Sequence, residues 1–336
     1  MQKILVIQTA FLGDAILTLP MIQVLKQNNP ESKVDVICIP GTKIIFENSP
    51  YVNEALVMDK RGLHKKFPGF IQFARMIKKR NYNIVYAPHR SFRTSMLVYL
   101  SNIAESYGFN INSFKHFYKY LIDYNPTAHE VQRSLDLIGY KYDYESWKIL
   151  PELKSNSKDV DDFVSSINSN KIAAVAPGSV WNTKKYPIEY YKEIIEYLIQ
   201  NDFYVLVLGG KEDKAECEAL ASNFEKNILS IAGKFNIIES IELLKNCNIL
   251  ICNDSAPTHM GMCANIPVIT LYCSTVADFG FYPYNKRSVY LSFDDLKCKP
   301  CGIHGYDVCP IGTFECGKGL LPNTVINKIK EIINNV

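Results

Sequence analysis

In four segments of this 336-residue sequence, an apolar run typical of a buried strand ends and reactive side chains follow before a helical pattern begins. The first such segment, Phe11-Leu12-Gly13-Asp14-Ala15, comes after the apolar run Lys3 to Thr9. Ligands of parallel α/β sheets bind at the carboxyl ends of strands, so Asp14 is placed where a carboxylate could take a proton, and Gly13 allows close backbone approach. Asp14 could equally cap the helix, and spacing alone does not separate the two interpretations.

The second segment is the loop from Gly178 to Pro187, which contains Ser179 and the adjacent lysines Lys184 and Lys185. Two cations beside a strand end suit a diphosphate, although exposed lysines are common on any surface. The third segment follows the run Tyr204 to Gly209, and its carboxylates, Glu212 and Asp213, could accept hydrogen bonds from a ribose.

The fourth segment is Asp254-Ser255-Ala256-Pro257-Thr258-His259, which follows the apolar run Ile249 to Asn253. Its small residues open a helix, whose first N–H groups and positive dipole end could bind a pyrophosphate. An ordinary Asp or Ser cap is the alternative, and His259, one turn into the helix, could be structural.

The elements that position these segments alternate between strand and helix in both halves of the chain, which predicts two successive doubly wound units with a cleft between them. The polar stretch 140–170 lacks a strong period, and we place a domain boundary there, giving domains 1–155 and 156–336. We expect strands at Lys3–Thr9, Lys33–Pro40, Glu54–Asp59, Asn83–Pro88, Ile172–Pro177, Tyr204–Gly209, Ile228–Ala232, Ile249–Asn253 and Val268–Tyr272. We expect helices at Ala15–Asn28, Phe70–Arg80, Thr127–Gly139, Ile188–Gln200, Asp213–Asn223, Ile237–Asn246 and Pro257–Cys263.

Charge is divided unevenly between the two halves. Residues 1–155 hold 20 Lys/Arg against 13 Asp/Glu, a balance of +7, and the remainder holds 17 against 21, a balance of −4. A basic first half suggests an anionic partner, although such an asymmetry can arise by chance. The sequence has neither the core of a signal peptide nor an apolar stretch of membrane-spanning length, so we expect a cytoplasmic protein, or one peripheral to the inner face of a membrane.

Several motifs of other enzyme classes are missing, among them G-x-G-x-x-G after a strand, the P-loop and H-E-x-x-H. This argues against a dinucleotide dehydrogenase and a P-loop NTPase.

The order and spacing of three motifs resemble glycosyltransferase family 9, the ADP-heptose:lipopolysaccharide heptosyltransferases, over nearly the whole chain. The motifs are Gly13-Asp14, Lys184-x-Tyr186-Pro187 and Asp254-Ser255-Ala256-x-x-His259. The segments Arg90 to Arg93 and His129 to Arg133 also look like segments of that family. The family box often reads Asp-Thr-Gly, so Ser255-Ala256 is a departure, although one that keeps the backbone donors.

The resemblance implies a GT-B fold, with two Rossmann-like domains facing a central cleft, the first binding the acceptor and the second the nucleotide sugar. It further implies an inverting heptosyltransferase that needs no metal, with Asp14 as general base and Lys184 on the donor phosphates. The implied donor site comprises Gly13, Ser179, Lys184, Asp254, Ser255, Ala256 and His259, with Glu212 or Asp213 on the ribose. The implied donor is ADP-heptose or a related nucleotide sugar, and the acceptor is the Kdo-containing core of lipid A. We expect peripheral contact with the inner membrane and no nucleic-acid partner.

Basic residues of the first half fit such an acceptor, which is rich in carboxylate and phosphate. Arginine binds these groups through its bidentate fork, so we assign Lys60, Arg61, Arg90 and Arg93 to the acceptor side. The segment 114–120 mixes aromatic and cationic side chains, as interfacial segments do, although it could also be a loop packed on the core.

Four cysteines lie close together in the sequence, at Cys298, Cys301, Cys309 and Cys316. The first pair has the spacing of zinc ligands, so a four-cysteine site holding zinc or iron is an alternative to free structural thiols, which we favour. Two further functions remain open: a GT-B transferase with another nucleotide sugar, and a non-catalytic binding or scaffold module built around a four-cysteine metal site.

Overall fold

Parallel strand pairing organises both halves of the chain. The structure is a computed structural model that describes residues 1–334. It divides into two compact units, Met1–Lys154 and a second that begins at Ser155. Each unit contains one sheet of six parallel strands with helices between them.

The first unit follows the βα alternation expected from its sequence, with additional elements at Lys43–Glu47 and between residues 92 and 122. Its strands are β1 (Lys3–Ile7), β2 (Lys33–Cys38), β3 (Glu54–Val57), β4 (Ile84–Tyr86), β5 (Glu105–Phe109) and β6 (Tyr120–Ile122). Its helices are α1 (Leu12–Asn28), α2 (Lys43–Glu47), α3 (Phe67–Lys79), α4 (Phe92–Ser101) and α5 (Glu130–Leu137), with 3-10 turns at Pro40–Thr42 and Lys115–Phe117.

The strand order of the first sheet is β3-β2-β1-β4-β5-β6. β1 is central, with Ile4 opposite Val34 of β2 on one side and Ile84 of β4 on the other. Helix α1 is buried from Ala15 to Leu25, as expected for a helix that is apolar on all sides. It packs against α5, which brings the start of α1 towards the acidic and basic side chains of α5.

The second unit repeats the same pattern. Its strands are β7 (Ile172–Ala176), β8 (Tyr204–Val207), β9 (Ile228–Ser230), β10 (Ile249–Asn253), β11 (Val268–Tyr272) and β12 (Val289–Ser292). Its helices are α6 (Lys158–Ser165), α7 (Ile188–Gln200), α8 (Lys214–Ala221), α9 (Ile237–Leu244), α10 (Ala256–Ala264), α11 (Glu315–Lys318) and α12 (Pro322–Asn334), with 3-10 turns at Asn182–Lys184 and Ala277–Phe279.

The second sheet has the order β12-β11-β10-β7-β8-β9. Read from the other edge, as β9-β8-β7-β10-β11-β12, it has the same strand order as the first sheet, with β7 in the place of β1. In both sheets the strand order reverses beside the first strand, between β1 and β4 and between β7 and β10. Such a reversal opens a crevice at the carboxyl ends of the strands, which is where doubly wound proteins bind ligands. Among the residues described, no helix has the length and apolar character needed to cross a membrane.

Candidate functional site

The crevice of the second sheet contains an ion pair between Lys184 and Asp254. Asp254 directly follows β10, and Lys184 ends the 3-10 turn in the loop that follows β7. Their Nζ and Oδ2 atoms lie 2.6 Å apart, and the two side chains are only 14% and 11% exposed. The hydroxyl of Thr275 donates to the same carboxylate oxygen at 2.7 Å. The pair therefore places a cation at the mouth of the crevice.

Asn253, the last residue of β10, holds the loop that carries Lys184. Its fully buried side chain donates to the carbonyl oxygen of Pro177 at 2.6 Å. Its Oδ1 accepts from the backbone N–H of Tyr186 and from the hydroxyl of Tyr191, both at 3.0 Å. One amide thus connects the end of β7, the end of the lysine loop and helix α7, and a hydrogen-bonded network of this kind fixes a single arrangement.

Helix α10 begins directly behind the ion pair. Ser255 is its N-cap residue and Pro257 lies in the first turn, as is common at helix starts. Ser255 and Ala256 are half-buried, so their N–H groups lie at an accessible edge, whereas Pro257 has no N–H and that of Thr258 donates to the carbonyl of Ser255 at 3.1 Å. The helix end and Lys184 together can stabilise a negatively charged group.

His259 lies deeper than the sequence suggested and is only 4% exposed. Burial lowers its pKa to about 4, with Asp254 opposing the shift and Lys184 adding to it. The imidazole is therefore neutral at physiological pH, and its Nδ1 is buried without a hydrogen-bond partner among the residues described. His259 packs under the ion pair as a neutral polar group.

The two candidate ribose carboxylates have different surroundings. Asp213 accepts a hydrogen bond from the N–H of Gly210 at 2.9 Å, and its carboxylate lies so close to Gly178 that a Cβ there would approach it to 2.7 Å. Glu212 is exposed and its carboxylate lies beside the Cα of Gly210. Asp213 therefore closes the turn after β8, whereas Glu212 presents its carboxylate to solvent.

The adjacent lysines separate. Lys185 turns to the surface and pairs with Glu216 of α8 at 2.7 Å, so only Lys184 reaches the crevice.

A loop from the cysteine-rich region covers the back of the lysine turn. Thr183 donates its N–H to the carbonyl of Tyr306 at 2.9 Å, and the N–H of Tyr306 donates to the Thr183 hydroxyl at 2.8 Å. Gly305 has a φ of +80°, and a Cβ there would come within 2.9 Å of the Thr183 hydroxyl oxygen. Only glycine fits this position without displacing the turn that carries Lys184.

The four clustered cysteines line one cavity of about 240 Å³. Burial raises the pKa of Cys309, but the N–H groups of Phe314, Ile311, Gly312 and Thr313 more than offset this, so its pKa is lowered. Cys316 is buried, and its pKa is raised to about 11 by burial. Within residues 1–334, no three His, Cys, Asp or Glu side chains stand close enough together to hold a metal ion.

In the first unit, Asp14 lies in the first turn of α1, two residues inside the helix, and the N-cap residue is Phe11. Part of the Asp14 residue is accessible, but protein atoms surround its carboxyl group and desolvate it. This desolvation, with the nearby charge of Glu130, raises the pKa of Asp14 to about 6, while the N–H groups of Asp14 and Phe11 and the charge of Arg90 oppose the shift. A carboxylate with a pKa near 6 is ionised at pH 7 and basic enough to accept a proton.

Helix α5 supplies the charge that acts on Asp14. Its first residue, Glu130, is buried and pairs with Arg133 at 2.9 Å. The guanidinium of Arg133 lies 4.8 Å from the ring centre of Tyr124, and that of Arg90 lies 4.4 Å from the same ring. Tyr124 is therefore in contact with two arginines, which supports two neighbouring cations by cation–π attraction.

The remaining acceptor candidates of the first unit differ in what they contact. Arg93 donates to the carbonyl oxygens of His64 at 3.1 Å and Lys65 at 2.9 Å, so it holds the loop before α3. Lys60 donates to the carbonyl of Thr9 at 2.6 Å, and burial with the nearby charge of Arg93 lowers its pKa to about 8. Arg61 and Arg90 are exposed.

Several residues in these surroundings were not singled out from the sequence. Asn253 and Thr275 orient the ion pair, Glu130 acts on Asp14, and His89 bonds across the reversal of the first sheet to Thr9 at 2.9 Å. Burial and the charges of Lys60 and Arg90 lower the pKa of His89 to about 4. The only available signal was position, since Asn253, Thr275 and His89 lie within three residues of a strand end.

Comparison with known proteins identifies a common family. The sequence profile described as "Glycosyltransferase family 9 (heptosyltransferase)" matches residues 70–305. Lipooligosaccharide heptosyltransferase 2 of Haemophilus ducreyi is 21% identical over 316 residues, which cover 87% of this chain and 89% of that protein.

Two solved structures are similar over almost their whole length. The glycosyl transferase family 9 protein from Veillonella parvula has a TM-score of 0.87 at 22% identity and covers 100% of this chain and 98% of its own. The ADP-heptose LPS heptosyltransferase II of E. coli has a TM-score of 0.80 at 18% identity, with 99% of each chain covered. At these identities the likeness establishes the fold, and it confirms the GT-B class expected from the sequence.

Proposed function

Because this chain belongs to glycosyltransferase family 9 and is a glycosyltransferase, we propose that it transfers heptose from ADP-heptose to the Kdo- and heptose-containing inner core of lipopolysaccharide. The observation that carries the donor half of the proposal is the pair of Lys184 and Asp254 in the crevice at the start of α10. Support for the sugar and the acceptor comes from relatives that are named as heptosyltransferases of lipooligosaccharide and lipopolysaccharide.

On the donor side, Lys184 and the first N–H groups of α10 bind the diphosphate. When the bond from the anomeric carbon to the phosphate oxygen breaks, its electron pair stays on the diphosphate, and these groups stabilise the added charge. This arrangement supports a reaction that does not need a metal. Gly178 and Ser179 lie in the loop that follows β7 and carries Lys184, and we assign them to the donor side with it. For the ribose we propose Glu212, because its carboxylate is exposed while that of Asp213 is engaged with Gly210.

On the acceptor side, Asp14 acts as general base. The acceptor hydroxyl oxygen forms the new bond to the anomeric carbon and gives its proton to the Asp14 carboxylate. Attack on the face opposite to the leaving diphosphate inverts the configuration. Arg90 and Arg61, which are exposed, and Lys60 contact the acidic groups of the acceptor. Since that acceptor is a lipid, we place the reaction at the cytoplasmic face of the inner membrane.

The proposal is tested by offering purified protein ADP-heptose, ADP-glucose and UDP-glucose with a Kdo-lipid A acceptor. We expect transfer from ADP-heptose only, with NMR of the product showing the inverted anomer. ADP should protect against thermal unfolding, and Lys184→Met should remove that protection, whereas Lys192→Met, on the surface of the same unit, should not. Transfer from a different nucleotide sugar would redirect the donor assignment. Nucleotide binding without any transfer would favour a non-catalytic module.

A further inference from the structure

Four aromatic rings form a continuous exposed strip on the first unit. Phe92 at the start of α4 meets Phe114 at 5.0 Å between ring centres, Phe114 stacks on Phe117 at 5.5 Å, and Phe117 stacks on Tyr99 at 4.5 Å. We call these four residues the aromatic strip. Three of them are strongly exposed: Phe92 at 47%, Phe114 at 55% and Tyr99 at 58%. Contiguous exposed apolar groups of this kind mark an interaction surface rather than scattered surface residues.

Phe114 is exposed to solvent on an unfavourable backbone conformation. Its φ is +52°, a left-handed conformation that is unfavourable for a bulky side chain. The segment around it is held from below: Ser113 donates to the carbonyl of Arg90 at 3.4 Å, and the buried Tyr118 hydroxyl lies 3.1 Å from that of Ser95. The fold therefore supports an exposed phenylalanine in a conformation that local preference disfavours.

Exposed basic side chains lie beside Phe114 and Phe117 in the sequence. Lys115, His116 and Lys119 are exposed within the same segment, and Lys119 lies 4.9 Å from the ring centre of Tyr120. Residues 90–122 contain four Lys/Arg and one acid, Glu105, a balance of +3. Aromatic rings flanked by cations match the interface of a bilayer whose head groups are anionic.

We propose that the aromatic strip with Lys115, His116 and Lys119 is the surface through which this protein docks on an anionic lipid bilayer. The rings enter the head-group region, and the cations remain in water against the lipid phosphates. The proposal rests on the proposed function, because an enzyme that acts on a lipid-linked acceptor must meet that acceptor at a membrane. The strip begins at Phe92, two residues from the acceptor candidate Arg90.

The test is co-sedimentation of the full chain with vesicles of phosphatidylethanolamine and phosphatidylglycerol, and with vesicles of phosphatidylcholine alone. We expect binding to the first and little to the second. Phe114→Asn combined with Tyr99→Gln should weaken binding by about tenfold or more, because each ring contributes roughly half the transfer energy of a buried aromatic. Asn tolerates the left-handed backbone and Gln suits a helix, so both changes spare the fold. Lys115→Gln with Lys119→Gln should weaken binding roughly twenty-fivefold at low salt, at about fivefold per lysine.

Tyr144→Gln is the matched control, since Tyr144 is 82% exposed and lies outside the strip, and it should bind as the wild type does. Circular dichroism establishes that each variant is folded. Unchanged vesicle binding in the Phe114/Tyr99 variant would overturn the proposal. So would light scattering that shows the wild type as a dimer and this variant as a monomer, because the strip would then be a contact between two copies of the chain. Transfer to a delipidated, water-soluble acceptor separates the two proposals, because ring variants should keep it. If the wild type binds vesicles but transfers to neither acceptor, the docking surface stands and the proposed function fails.

Discussion

Lys184 and Asp254 are each other's nearest charged partners in a crevice where both side chains are almost inaccessible. The cation that we propose as the diphosphate ligand is thus held in advance by a carboxylate, which fixes its position before a ligand arrives. Pre-positioning of this kind reduces the entropy that binding must overcome.

The first prediction concerns the stability of this pair. Lys184→Met leaves the carboxylate of Asp254 with its hydrogen bond from Thr275 and no cation, and should lower the free energy of unfolding by about 2–3 kcal/mol. Lys184→Met with Asp254→Asn should recover most of that loss, because no buried charge remains. Urea unfolding of the single and double variants measures both.

The control is Lys192→Met, which breaks an exposed pair with Glu189 whose side chains are 33% and 69% accessible. It should change stability by less than about 0.5 kcal/mol. Equal effects of Lys184→Met and Lys192→Met would mean that the crevice pair is no more than a surface contact.

The second prediction concerns Asp14 and the chemical step. Asp14→Asn keeps the shape of the side chain but cannot take the proton, so kcat should fall by roughly 10²–10⁴ with donor affinity unchanged. Single-turnover rates and calorimetric ADP affinity distinguish this from a binding defect. Turnover near the wild-type rate would leave Asp14 as a helix-terminal residue only.

The third prediction is that the same variant is more stable than the wild type at neutral pH. The pKa of Asp14 is about 6 in the fold against 3.8 as its ordinary value, so the ionised carboxylate destabilises the native state. This penalty is complete above pH 6 and disappears as the pH falls towards 4, where the folded protein takes up the proton first. Asp14→Asn should therefore add about 1–3 kcal/mol at pH 8 and almost nothing at pH 4. A stability difference that does not depend on pH would refute the ionic cause.

The fourth prediction assigns Glu130 a positioning role. Its charge helps to raise the pKa of Asp14, so Glu130→Gln should move the acid limb of the kcat profile to lower pH, while Gln still accepts the hydrogen bond from Arg133. A merely structural residue would lower activity equally at every pH. Glu145→Gln, on the exposed surface of the same unit, should leave the profile in place.

The fifth prediction separates two arginines that the sequence treated alike. Arg90→Ala should raise the acceptor KM about tenfold, as expected for a lost charged hydrogen bond, without changing donor affinity. Arg93→Ala removes the donors to the carbonyls of His64 and Lys65. This variant should therefore expose the loop 59–66 to trypsin, whereas Arg90→Ala should not. Arg75→Ala, on the outer face of α3, serves as the control. Equal proteolysis of the Arg90 and Arg93 variants would contradict this division.

Much of the second unit could be predicted from the sequence. The expected bounds of β10, β11 and α7 are those of the structure, because each is an apolar run or stripe that begins directly after a proline or a polar residue. The elements that were not predicted are the strands β5, β6 and β12 and the helices α2, α4, α6, α11 and α12. β6 has only three residues and two are exposed, and Ser106 and Gly108 interrupt the apolar run of β5, so neither shows the pattern of a buried strand.

The site residues show the same limit. Asp14, Lys184 and Asp254 could be found because strand ends are visible in the sequence. The contacts of Asn253 with Pro177 and of Thr275 with Asp254 join segments 76 and 21 residues apart, and only the fold brings them together. Sequence spacing also could not show whether Lys184 or Lys185 faces the crevice, because the conformation of the 3-10 turn decides this.

Each sheet is built from one continuous part of the chain, so the two sheets can form at different times during synthesis. Every strand of the first sheet finds its neighbours within Met1–Lys154, and β1, which precedes the other strands of this sheet in the chain, is a central one on which they assemble. The remaining 182 residues (336 less 154) take roughly ten seconds or more to translate at about 5–20 residues per second. The first sheet can therefore close during synthesis, before the second sheet is complete at β12.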